Sequence, residues 1–107
     1  MTDLSDEDRK LATLARGAMA RAGSAHGAAV RDLDGRSYAG APVALESLAL
    51  TGLQVAVATA VSSGAAGFEA AVIVGSADDA DAGVTAVHEI SAGAPVLVVD
   101  AAGEVRR

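Results

Sequence analysis

The chain has no cysteine and no tryptophan, and only one phenylalanine and one tyrosine among 107 residues. Without cysteine there can be no disulfide, no thiolate nucleophile and no thiolate metal ligand. The scarcity of aromatics leaves a core of small aliphatic side chains, mostly Ala and Val. Each buries little area, at roughly 25 cal/mol per Å² of apolar surface, so a lone chain of this length is expected to be marginally stable and to self-associate. Cations are also few, with 8 Lys and Arg against 14 Asp and Glu and a formal net charge of −6. Arg9, Lys10, Arg16, Arg21, Arg31, Arg36, Arg106 and Arg107 are scattered or terminal. No clustered cationic surface exists to neutralise a phosphate backbone, so no nucleic-acid partner is expected. The acidic opening, Met1 to Asp8, has no apolar run of the secretory kind, and a cytoplasmic location is the expectation.

What the chain does have is an uncharged stretch from Ser47 to Phe68. Its length invites comparison with a membrane span, but Thr51, Gln54, Thr59, Ser62 and Ser63 dilute it, Gly52 and Gly64 weaken it, and neither flank carries basic or aromatic anchors. A helix buried on nearly every side is the better reading, so no membrane partner is expected.

The remaining periodicity places elements around this stretch. Ser5 or Asp6 can cap a first helix in which Leu11, Leu14, Ala15, Ala18, Met19 and Ala22 recur at helical spacing as one apolar face, and which closes near Gly23. Gly27–Arg31 and Ser37–Ala39 flank an Asp34-Gly35 turn and predict a hairpin. Pro42 precedes the long helix, which ends at Ser63-Gly64. Ala70–Val74 and Pro95–Val99 read as buried strands, with a short helix from Gly83 or Val84 to Ser91 between them. Glu104–Arg106 can add an edge strand. Strands separated by helices need crossovers, so the expected architecture is a single α/β domain over residues 1–107. It has three layers, α/β/α, and a mixed sheet of about five strands.

The segment Gly27-Ala-Ala-Val-Arg-Asp-Leu-Asp-Gly-Arg-Ser-Tyr-Ala-Gly40 resembles the first hairpin of the small homo-tetrameric cytidine deaminases. Val61-Ser-Ser-Gly64 and Pro95-Val-Leu-Val-Val-Asp-Ala-Ala-Gly103 extend that resemblance, which covers the chain from about Leu11 to Arg106. It implies a deaminase fold, a homo-oligomer (dimer or tetramer) and a zinc-bound water whose attack on a pyrimidine is assisted by a Glu.

Residue by residue, the implied chemistry is missing. Counted back from Gly64, the first zinc ligand falls at Thr51 and the catalytic Glu at Leu53. Counted forward from the hairpin, the pair shifts to Leu53 and Val55, and the functions are absent in either register. The family's Pro-Cys-x-x-Cys motif falls near Asp79–Gly83, which puts Ala80 and Gly83 at ligand positions. Its ribose-binding Asn-x-Glu falls near Pro42–Ala44, with Glu46 close by. The degenerate positions are therefore Thr51, Leu53, Ala80 and Gly83; no catalytic residue, cofactor or metal is assigned.

Other constellations are no stronger. His26 and His88 form no i,i+4 pair, and Asp78, Asp79 and Asp81 lack the alternation, central Gly and distal Glu of a calcium loop. They read as a solvated loop, with Asp81 near a helix start. Ser62-Ser63-Gly64 and Gly75-Ser76 match neither a nucleophile elbow nor a phosphate loop, and His88 and Glu89, adjacent on a helix, share no face. The expected function is a catalytically inactive deaminase-like protein with a structural, regulatory or interaction role. The alternatives are a module binding a nucleoside or other small molecule and, behind it, a hydrolase with a non-standard site.

Overall fold

The computed structural model describes residues 4–75, 81–100, 102 and 104–106. Helix α1, Asp6–Ala22, starts where the Ser5 side chain accepts a hydrogen bond from the Asp8 N–H. Asp6, Glu7 and Asp8 favour its positive end, Arg21 its negative end, and Gly23 closes it in the left-handed region at φ 63°. Leu11, Ala12, Ala15 and Ala18 form its buried stripe.

Strands β1 (His26–Asp32) and β2 (Ser37–Gly40) make the expected hairpin. Asp32 holds its base: Oδ1 accepts from the N–H groups of Asp34 and Arg36, each at 2.9 Å, and Oδ2 accepts from the Tyr38 hydroxyl at 2.9 Å. Burial alone would raise the Asp32 pKa, but these hydrogen bonds and the Arg36 charge hold it below the usual carboxylate value.

The uncharged stretch is not one long helix. A two-stranded ribbon, β3 (Val43–Ala44) with β4 (Ala49–Leu50), comes first, and α2 covers only Gly52–Ser62. The boundary is a capping box: the Thr51 hydroxyl accepts from the Gln54 N–H, and the Gln54 side chain accepts from the Thr51 N–H. Nor is the helix buried on nearly every side. Leu53, Ala56, Val57 and Ala60 face inward, whereas Ala58, Thr59, Val61 and Ser62 are exposed.

Strand β5 (Phe68–Gly75), helix α3 (Ala82–Ile90) and strand β6 (Val96–Val99) complete the regular elements among the described residues. The main sheet runs β2-β1-β5-β6, antiparallel except for β5 and β6, which α3 connects in parallel. Among the described residues, the expected strand at Glu104–Arg106 is reduced to one bridge, Val99 to Val105, and the main sheet has four strands, with the ribbon standing apart.

Alternation along β1 and β5 builds the two cores. Ala28, Val30, Ala71 and Ile73 pack beneath α2 and α3 with Leu53, Ala56, Val57, Phe68 and Val87. Ala29, Ala70, Val72 and Val74 pack beneath α1 with Leu11, Ala12 and Ala15. The result is the expected three-layer α/β/α arrangement. Arg31 ties α1 to the sheet, meeting Asp8 at 3.2 Å and Glu69 at 3.0 Å. No helix among the described residues is long and apolar enough to cross a membrane.

Candidate functional site

Helices α2 and α3 lie on the same face of the sheet, and their N-termini meet. The start of α2 is held from three sides. Thr51 caps it and donates its hydroxyl proton to Asp81 Oδ1 at 2.7 Å. Gly52 donates its N–H to His26 Nε2 at 3.0 Å, which brings the first residue of β1 against the first turn of the helix. The end of β2 lies against the same turn: a Cβ added to Gly40 would stand 2.7 Å from the Gly52 carbonyl oxygen and 2.8 Å from the Ala56 nitrogen. His26 thus accepts through Nε2, which requires the neutral ring with its proton on Nδ1.

Asp81 caps α3, and its Oδ1 also accepts from the Gly83 N–H at 2.7 Å. It is 8% exposed and is not part of a solvated surface. The reason is that both its donors sit at helix starts, where N–H groups lack intrahelical partners and the helix field favours an anion. Asp78, Asp79 and Ala80, the rest of the acidic loop and one expected ligand position, lie outside the described residues.

Leu53 fills the space between the helices. It is completely buried, and a Cβ added to Gly83 would lie 2.6 Å from the Leu53 Cβ and 2.7 Å from its Cγ. The structure therefore brings together Thr51, Leu53 and Gly83, three of the positions singled out in the sequence. Val55, the alternative position, is half-buried one turn into α2, and Glu46 is exposed on the ribbon.

This donor set does not fit zinc. The Thr51 hydroxyl is engaged as cap acceptor and as donor to Asp81, Leu53 is hydrocarbon, and Gly83 has no side chain. Among the described residues, no group of three or more His, Cys, Asp or Glu side chains could hold a metal ion. His88 is engaged elsewhere, its Nε2 lying 2.9 Å from the Ala94 carbonyl oxygen. Ser63 ends α2, and Ser91 Oγ accepts from the Phe68 N–H at 2.9 Å.

Two participants, His26 and the bridging role of Asp81, were not evident as site residues in the sequence. Asp81 was legible as a helix start. Its contact with Thr51 spans 30 positions and the His26 contact spans 26, and no local pattern encodes either.

A family model described as cytidine deaminase-like matches residues 4–103. The fold is similar to the 1.6 Å crystal structure of cytidine deaminase from Burkholderia pseudomallei. The TM-score is 0.80 at 20% identity, over 96% of this chain and 91% of that one. It is also similar to cytidine deaminase from Mycobacterium tuberculosis, with a TM-score of 0.72 at 22% identity over 98% of this chain and 91% of that one. For the enzyme from Mycobacterium leprae the TM-score is 0.64 at 22% identity, over 89% and 90% of the two chains. No curated protein matches the chain.

Proposed function

The chain belongs to the cytidine deaminase-like family, and on that premise we propose that it is a catalytically inactive member whose role is structural, regulatory or interactive. One observation carries the reading: a fully buried leucine, Leu53, stands in the first turn of α2, against Gly83 of α3. Zinc-dependent deamination needs a metal-bound water and a carboxylate beside it to move protons. Hydrocarbon at that point offers neither, and the adjacent hydroxyl of Thr51 is committed to two hydrogen bonds.

The test is ammonia release from cytidine and deoxycytidine by the full chain supplied with zinc. The expected rate is indistinguishable from the reaction without protein; turnover abolished by chelator would overturn the reading.

The outward side of α2 supports an interaction role. Ala58, Thr59, Val61 and Ser62 are exposed and uncharged in a chain whose net charge is −6, and Leu45 and Leu48 of the adjoining ribbon are exposed as well. Like-charged copies meet with least repulsion where neither carries charge, so self-association through this side is the favoured assembly. A nucleoside-binding module would need open volume beside Thr51, where Leu53 now packs. That alternative requires melting temperatures that rise with nucleoside concentration, and a flat response counts against it.

A further inference from the structure

We propose that the N-termini of α2 and α3 are closed on each other as a metal-free lock, with Leu53 against Gly83 as its wedge and the Thr51–Asp81 hydrogen bond as its latch. The inference rests on the reading that this site holds no metal and adds what holds it shut.

The wedge follows from the missing side chain. A Cβ at position 83 would stand 2.6 Å from the Leu53 Cβ, an atom fixed to the α2 backbone that no rotation of the leucine can move aside. The same Cβ would lie 2.9 Å from Asp81 Oδ1. Two residues bearing Cβ atoms therefore cannot occupy positions 53 and 83 at this helix separation, and a cysteine ligand at 83 would force the helices apart. The helices are closed into the volume that a ligand side chain would need.

The latch follows from the polar atoms. Asp81 is a nearly buried carboxylate, and burial of a charge is costly unless strong donors surround it. Among the described residues two groups donate to its Oδ1, the Gly83 N–H and the Thr51 hydroxyl; they lie at helix starts, one on each helix, and each is 2.7 Å away. The Thr51 hydroxyl has one proton to give and gives it to Asp81, while its lone pair accepts from Gln54. One anion thus satisfies the positive ends of two helices that come from separate parts of the chain.

The experiment is a set of thermal melts on the full chain in chelator. Gly83→Ala is expected to lower the melting temperature by about 10 °C, because the wedge has no room for a methyl group. Thr51→Val and Asp81→Ala are each expected to lower it by about 4–8 °C, and Thr51→Ser to recover most of the Thr51→Val loss. Because a latch is broken only once, the double variant Thr51→Val/Asp81→Ala should lose clearly less than the sum of the two single shifts. Should Asp81→Ala not fold, Asp81→Asn takes its place in the cycle. Additive shifts, or an unchanged melting temperature for Gly83→Ala, would overturn the lock while leaving the inactive reading standing. About one zinc per purified chain would overturn the inactive reading regardless of the melts.

Discussion

Asp32 sits at the base of the β1–β2 hairpin, where the Asp34 and Arg36 N–H groups and the Tyr38 hydroxyl all donate to its carboxylate. The fold holds its pKa below the ordinary 3.8, so its contribution to stability is complete above that value and is lost as pH falls through the lower folded-state pKa. Melts at pH values falling below about 4 should show a loss of stability that Asp32→Asn lessens; equal slopes would contradict the assignment. At the site, Leu53→Ala should cost about 2–5 kcal/mol by chemical denaturation, the range for a cavity left by a buried leucine. A Leu53→Glu change, which places a carboxylate where the proposed reading puts the family's catalytic Glu, should be worse, since it buries a charge among Ala28, Val30 and Ile73. Residues whose roles are local could be read from the sequence: Ser5 and Gly23 at the ends of α1, and Asp34-Gly35 in the hairpin turn. His26 could not, because its partner, the Gly52 N–H, exists only once β1 and α2 are packed together.

Helix α2 illustrates what periodicity can and cannot supply. Its uncharged sequence correctly indicates an element packed against the sheet, yet it hides where the helix starts, because Ala49 and Leu50 are as apolar as the residues after Thr51. The pairing of Val43 with Leu50 and of Ala44 with Ala49 takes those residues into the ribbon, and the Thr51–Gln54 capping box begins the helix. Absence of charge likewise does not separate a face buried in one chain from a face left open to another. If the open side of α2 is where copies meet, Val61→Lys should shift light-scattering mass toward the monomer at equal concentration, with the melting transition remaining cooperative. A wild-type chain that scatters as a monomer at every concentration would remove the basis for that assembly.

Across the whole molecule, element order and layering were legible because strands separated by helices need crossovers that cover the sheet; which residues of β1 and β5 face α1 and which face α2 and α3 came from the structure, since both strands are apolar on each face. Among the described residues, the strand expected at Glu104–Arg106 is a single bridge, Val105 to Val99, flanked by the hydrogen bonds from Arg106 N–H to the Val98 carbonyl and from Asp100 N–H to the Glu104 carbonyl. Of the positions singled out in the sequence, the structure sets Leu53 against Gly83 and joins Thr51 to Asp81, long-range contacts that no local pattern encodes. On the proposed reading, this deaminase-like fold is shut around hydrocarbon and has no place for the metal. The decisive measurement is metal analysis of the full chain, purified from cells grown with added zinc and without chelator. Zinc far below one equivalent per chain is expected; a stoichiometric, tightly held zinc would contradict that reading.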